Sequence, residues 1–450
     1  MNGAFLLSVV LKGLGAILEI LLQILITGVI GVEGYGTYAA WINGADLLFW
    51  VALSGLVKSN TFYLSGKNTS IRVFKKKYYF KYAIPLLTLT AVVLFSIRRT
   101  AAVLIIPMIA GAELLVLDQS SAFLARGQIT CSLIGEYALG RFILVTGVLL
   151  MKFGGSLKVR NLLFLYIFQY GMILLLFRLK RRKTEYTDIS QTVSAKKLGA
   201  FQQSDMMHAM IEQMPVVAQF LFSGAFEAGV VSIVLLVKKL INFISGPTAK
   251  VFLPEFSRLY HAGDKEGICN CYYSIMRIQM TVVGPMAVVL LGYPKVVLGI
   301  FAKELIPYQM LFVVCSVIFL LTASLGPCGG ILQMTGNEKE DNRCRLAALG
   351  AMLLIMLITR KDSYFVLYGL CGQVALEILL KFIHVCRWMK KVPLNAAQYL
   401  CWWFLPSTAV AAAYLFRLQD SFVAMVVSTI VVFSVGVLRE IKALSAGNRK

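Results

Sequence analysis

Histidine is scarce in this chain: three residues, His208, His261 and His384, stand among 450. The nine cysteines are an odd number without paired spacing. Zinc sites draw on clustered Cys and His ligands, so no metal site is expected and the cysteines read as small apolar side chains. Also missing are a phosphate-cradling GxxxxGK[ST] loop, an HExxH pair and a paired-carboxylate motif. Direct use of ATP and hydrolysis of those types are thereby excluded, and no cofactor is expected.

Acid is the next shortage, with 22 Asp and Glu against 44 Lys and Arg, a net charge of +22. Charge of either sign is only 15% of the chain, where soluble domains carry roughly a quarter. Apolar residues fill the space: 58% of the sequence is hydrophobic and the mean hydropathy is +0.77. One or two soluble cores cannot bury that much apolar surface, so the solvent is a bilayer.

Because roughly 20 apolar residues cross the hydrocarbon, spans are expected at 5–30, 37–57, 79–97, 101–123, 130–151, 161–178, 199–222, 226–249, 275–293, 308–331, 345–359, 363–383, 400–416 and 421–437. The runs are continuously apolar and lack period-two alternation, which selects helices over a barrel. The expected fold is an all-α polytopic membrane protein of about 14 transmembrane helices. Loops after even-numbered spans, with the C-terminal tail, hold roughly three times as many Lys and Arg as the opposite loops. Both termini are therefore expected in the cytoplasm. The same bias explains the basic charge by orientation and contact with anionic headgroups of membrane lipids, and no nucleic-acid partner is expected. The first apolar run is too long for a cleavable signal and is expected to anchor the chain.

Two features recur in order. "LITGVIGVEGYGTYAAW" and "FLFSGAFEAGVVSIV" each bring glycines into a tight turn, aligning Gly36 with Gly229. "SSAFLARGQITCSLIGEYALGR" parallels "CGGILQMTGNEKEDNRCRLAALG", aligning Gly127 with Gly336. The offsets of about 190 and 210 residues agree within a modest insertion, as in a duplication. Six helices per half, an even number, give two parallel bundles related by an axis along the membrane normal, with substrate expected at their interface. The expected organisation is a bundle at 1–179, a basic cytoplasmic linker at 180–198, a second bundle at 199–390 and an extra helix pair at 391–450.

Charges inside spans carry the functional information, since each costs a few kcal/mol at mid-bilayer unless it faces a cavity or a partner. Lys12, Glu19, Gln23 and Thr27 share one face of the first helix; Asn43, Asp46, Trp50 and Ser54 share one on the second. Gln202, Asp205, His208 and Glu212 form a stripe on the seventh, which either lines a pore or is the wet face of an interfacial helix. Gln373, Glu377, Lys381 and His384 form another on the twelfth, where Glu377 can pair with Lys381. Arg141, Lys238 and Lys239 sit near mid-span, with Asn242 and Ser245 extending the face. Two readings stand open: ion pairs of these cations with Glu19, Glu136 or Asp46, or a cationic cavity for an anionic headgroup.

The two six-helix halves, the Gly34-Tyr35-Gly36 hairpin, "LARGQ" at 124–128 and "LQMTGNEKE" at 332–340 carry a resemblance. Over residues 1–390 the chain resembles the polysaccharide flippase branch of the multidrug/oligosaccharidyl-lipid/polysaccharide exporter (MOP) superfamily. The resemblance implies a V-shaped cavity in a bacterial cytoplasmic (inner) membrane. Through it an undecaprenyl-diphosphate-linked glycan for O-antigen, capsule or exopolysaccharide would pass from the cytoplasmic to the outer leaflet by alternating access. The extra C-terminal pair is similar to that of lipid II flippases, where a nearby hydrophobic groove takes the lipid tail. On this reading Arg141, Lys238, Lys239 and Asn242 meet the diphosphate, and Asn43, Trp50 and Gln23 meet sugars. Glu19 and Asp46, with Asp205 and Glu212, balance charge or bind a coupling H+ or Na+. One chain already supplies both halves, so a monomer is expected to suffice. A multidrug and toxin extrusion cation antiporter is the nearest rival. A membrane polysaccharide polymerase is less favoured, because every outer loop is short, and so is a purely structural scaffold.

Overall fold

The computed structural model describes residues 3–64, 69–98, 101–125, 128–180, 187–188, 195–390 and 396–447. Long apolar runs satisfy their own backbone polar groups only as helix once water is gone. The described residues are helical almost throughout.

Two compact units form, Met1–Ser232 and Ile233–Lys450. The first holds α1 (Gly3–Ala52), α2 (Gly55–Leu64), α3 (Arg72–Tyr78), α4 (Ile84–Arg98), α5 (Ile105–Ala125), α6 (Ile129–Leu133), α7 (Gly140–Phe153), α8 (Val159–Lys180), α9 (Ala195–Glu212) and α10 (Met214–Phe222). It also takes the start of α11 (Ala225–His261). The second unit contains the rest of α11, then α12 (Lys265–Ala287), α13 (Pro294–Phe301), α14 (Gln309–Ser324), α15 (Cys328–Met334), α16 (Glu338–Ile358), α17 (Phe365–Met389), α18 (Ala396–Leu415) and α19 (Phe422–Gly447). A two-residue parallel ladder, Thr69–Ser70 on Thr187–Asp188, ties part of the basic linker to the first unit.

The helical stretch α1 is broken at Gly31, whose φ of 72° and ψ of 175° suit only glycine. Twelve residues of unbroken helix rise about 18 Å, beyond the joint reach of a Gln and a Tyr side chain. Tyr35 Oη nevertheless donates to Gln23 Oε1 at 2.8 Å. The chain therefore folds back at Gly31, and α1 is a helical hairpin, the turn expected from its glycines.

Helix α1 packs against α5, α7, α8, α9 and α10. Its closest approach is to the start of α11, where a Cβ on Gly36 would land on the Ala225 carbonyl and 2.6 Å from the Gly229 nitrogen. The two glycines that the repeat aligns thus touch. In the second unit α16 and α17 form the most extensive pair, and α12 packs on α14, α18 and α19. Phe256, Tyr272, Ile275, Met276, Ile331 and Val385 fill the core between α11, α12, α15 and α17.

Eight stretches among the described residues are long and apolar enough to cross a membrane, against the fourteen expected. One of them, Gly13–Ala52, runs 40 residues and contains the hairpin. The other expected spans also fall on helices, some short and one charged at its start. Helix α7 has 14 residues, Pro215 opens the 9-residue α10, and Glu338, Glu340, Asp341, Arg343 and Arg345 charge the start of α16. The apolar part of α18 is a shorter helix, Tyr399–Leu415. Outward-facing Leu89, Val92 and Phe95 on α4 and Val423, Val427 and Ile430 on α19 are exposed, as lipid-facing side chains must be. The chain is an all-α, multi-pass membrane protein.

Candidate functional site

The first unit concentrates ionisable groups around Arg141. Its Nε lies 2.6 Å from Glu19 Oε2, with the two side chains about a third exposed. Tyr166 and Tyr170 of α8 stand beside the guanidinium. Gln23 Nε2 reaches Glu19 Oε1 at 3.2 Å, and Tyr35 closes the chain of contacts on Gln23. Asp46 and Glu113 act on Tyr166 and Tyr170 through their charge. Tyr38 packs edge-on to Tyr166 at 6.4 Å, and Tyr166 to Tyr170 at 5.4 Å.

Five helical segments supply this cluster: both arms of α1, then α5, α7 and α8. Glu19, Asp46, Glu113, Arg141 and Tyr170 each fall within about two residues of the middle of an expected span. A short π-helical segment, Ile134–Leu139, directly precedes α7 and sets the rotation at which Arg141 projects. Glu19 pairs with the guanidinium, and Asp46 and Glu113 lie near its tyrosine neighbours, so three carboxylates gather in this part of the first unit. In a low-dielectric site an anion of that kind attracts a small cation strongly.

The expected site residues divide as follows. Glu19, Gln23, Asp46 and Arg141 come together, and the ion-pair reading of Arg141 is realised with Glu19. Asn43 turns its amide onto the Ala39 carbonyl of its own helix at 2.7 Å. Trp50 packs edge-on against Phe49, and its carbonyl accepts from Gln202 Nε2 at 2.8 Å. Gln202 Oε1 in turn accepts from the Gly55 N–H at 2.7 Å, so it bridges the break between α1 and α2. Asp205 is buried beside it on α9, 5% exposed. The stripe of the seventh expected span therefore faces protein at Gln202 and Asp205; Glu212 is half-buried at the end of α9, and the His208 side chain lies outside the described residues. Lys238 is buried and Lys239 exposed, both in the second unit. The Asn242 side chain lies outside the described residues.

Sequence reasoning passed over three acids that organise the units. Glu113 joins the Arg141 cluster. Asp118 Oδ1 lies 2.7 Å from Lys75 Nζ and accepts from Asn60 Nδ2 at 2.7 Å. Asp341, 1% exposed, lies 2.7 Å from Lys381 Nζ and accepts from Gln333 Nε2 at 2.9 Å. Lys381 also makes the expected pair with Glu377 at 2.6 Å. Each acid could have been found as a lone charge inside an apolar helix or in a helix's first turn; its partner could not.

No family model matches the chain, and no curated relative does. Solved structures do. An inward-facing multidrug resistance MATE family transporter of the MOP superfamily matches with a TM-score of 0.65 at 11% identity, over 85% of this chain and 98% of that one. The lipid II flippase MurJ, in an inward closed conformation, matches with a TM-score of 0.58 at 11% identity, over 98% and 99%. A MOP superfamily transporter from Pyrococcus furiosus, whose description speaks of a reversed polarity of the binding pocket, gives 0.54 at 11% identity over 91% and 96%. The fold is thus one found in solved MOP superfamily transporters, a multidrug transporter and a lipid flippase among them.

Proposed function

We propose that the chain is an ion-coupled, alternating-access transporter that carries an undecaprenyl-diphosphate-linked oligosaccharide from the cytoplasmic to the outer leaflet of a bacterial inner membrane. One observation carries the choice of cargo class: the lipid II flippase covers 98% of this chain, whereas the MATE structure covers 85%. Length beyond a MATE transporter is what a lipid-linked cargo would use. In this reading the cluster of Glu19, Asp46, Glu113 and Arg141 takes the coupling H+ or Na+. Loading neutralises part of the cluster's acidic charge, and release restores it. In the second unit, the exposed Lys239 is a cation suited to the diphosphate.

The carboxylates gathered near Arg141 favour a second reading, an organic-cation antiporter, because carboxylates in a low-dielectric cavity suit a cationic drug. Reconstitution in liposomes separates the two. A fluorescent undecaprenyl-diphosphate oligosaccharide is placed in one leaflet, and its exposure to an impermeant reagent is followed. Protein-dependent translocation supports the flippase; none, with uptake of a cationic dye down an imposed ion gradient, supports the antiporter.

A further inference from the structure

The helical run from Gly3 to Leu64 is interrupted twice, and the two interruptions differ in kind. At Gly31 a φ of 72° writes the turn into the backbone. Between α1 and α2, at Leu53 and Ser54, the helix also breaks, yet no residue from Trp50 to Leu56 has a positive φ. Nothing in those residues forbids a continuous helix.

Side chains from other helices hold this second break. Gln202 of α9 bonds to it twice: its Oε1 accepts from the Gly55 N–H at 2.7 Å, and its Nε2 donates to the Trp50 carbonyl at 2.8 Å. Tyr78 of α3 donates its hydroxyl to the Leu53 carbonyl at 3.3 Å. The Ser54 hydroxyl gives the Trp50 carbonyl a further bond at 3.0 Å, and the Val57 N–H turns back to the Ser54 carbonyl at 2.9 Å. Leu53, Ser54, Gly55 and Leu56 are buried, so their backbone groups must be paired within the protein.

A continuous helix would pair the same groups without α9 or α3. The Ser54 N–H would return to the Trp50 carbonyl, and the Gly55 N–H to the Val51 carbonyl. The backbone is satisfied either way, and the single Gly55 N–H decides between the two pairings, as a two-state element requires. Gly55 also sets how near α9 can come: a Cβ there would lie 3.0 Å from Gln202 Oε1 and 3.0 Å from the Leu198 carbonyl. Asp46, Trp50 and Ser54 follow at steps of four on one helix face, so the break begins one turn beyond an acid of the Arg141 cluster.

We propose that the interruption between α1 and α2 is a moving joint of the transport cycle and that Gln202 is its latch. Latched, the carboxamide bridges the break and ties α9 to α2. Released, α1 and α2 join into one helix and α9 is freed from them. Gln202 is a positioning residue that acts through its neighbours' backbone and not on the cargo. The part it plays in transport rests on the alternating-access reading above; the two pairings of the joint rest on neither cargo nor ion.

Hydrogen–deuterium exchange of the purified full-length protein, read by mass spectrometry on segment 50–57, tests this with Gln202→Leu, which removes both bonds at similar volume. Freed of Gln202, the joint closes into helix, and its amides are expected to exchange about fivefold more slowly than in the wild type, the scale of one hydrogen bond. A side chain that merely capped a fixed break would leave the Gly55 N–H open, and exchange would speed up. Gly55→Ala, whose Cβ displaces Gln202 and whose side chain favours helix, is expected to slow exchange in the same segment, which keeps the test decisive if the first variant fails to fold. Faster or unchanged exchange in a folded variant would overturn the joint. In liposomes Gln202→Leu is expected to lose most of the translocation of whichever cargo the wild type carries, and slowed exchange with wild-type translocation would take the joint out of the cycle. The exchange result needs no cargo, so a wrong cargo assignment leaves it standing.

Discussion

The contact between Arg141 and Glu19 sets what each can do alone. Removing one partner leaves a charge in a partly dehydrated site, so the cost lies between about 1 kcal/mol for exposed pairs and about 3–5 kcal/mol for buried ones. Arg141→Gln is expected to lower the melting temperature and to reduce transport at least tenfold. Glu19→Gln/Arg141→Gln is expected to recover the stability but not the transport, because the cluster then loses its coupled charge. Measuring both quantities for the two variants checks this; full transport in the double variant would remove the cluster from the mechanism. The helical spacing of Glu19 and Gln23 made their shared face legible in the sequence. Their joining by Tyr35 depends on the fold-back at Gly31, and Tyr166 on a helix far along the chain leaves no mark near Glu19.

Among the elements, α16 and α17 show how a buried charge fixes register. Asp341 and Lys381 are both nearly inaccessible, and Arg345 approaches Asp341 at 3.4 Å. Asp341→Ala leaves the buried Lys381 ammonium with Glu377 alone and is expected to destabilise the second unit by about 3 kcal/mol, the low end for a broken buried pair. Asp341→Leu/Lys381→Met is expected to restore most of that loss, and thermal unfolding in detergent reads both. The i, i+4 pair of Glu377 with Lys381 could be read from one helix; the pairing with Asp341 could not, since it joins two. Glycine contacts behave similarly. Gly36→Val puts branched carbons where the α11 backbone lies and is expected to abolish folded, monodisperse protein in size-exclusion chromatography. Gly350→Ala, with nothing within 4 Å of its Cβ, is expected to be silent.

For the whole molecule, composition and hydropathy already determined a multi-pass helical membrane protein, because no other arrangement hides such surface. The span count was less legible. Helix breaks shorten some expected spans, as at Pro215, and charges crowd the start of others, as in α16. If the cluster couples transport to an ion gradient, collapsing the proton gradient or the sodium gradient in proteoliposomes is expected to slow translocation severalfold for one of the two ions. Indifference to both would point to movement driven by the cargo's own gradient.

The hairpin at Gly31 also bears on how the protein is made. Chains grow at about 5–20 residues per second, so Arg141 emerges roughly 6–24 seconds after Glu19. Through that interval Glu19 must reach the membrane without its cation. The fold-back supplies what it needs from nearby in the chain: Gln23 donates to the carboxylate, and Tyr35 holds Gln23 from the returning arm. The hairpin is thus a self-sufficient insertion unit, holding an acid ready for a partner not yet synthesised.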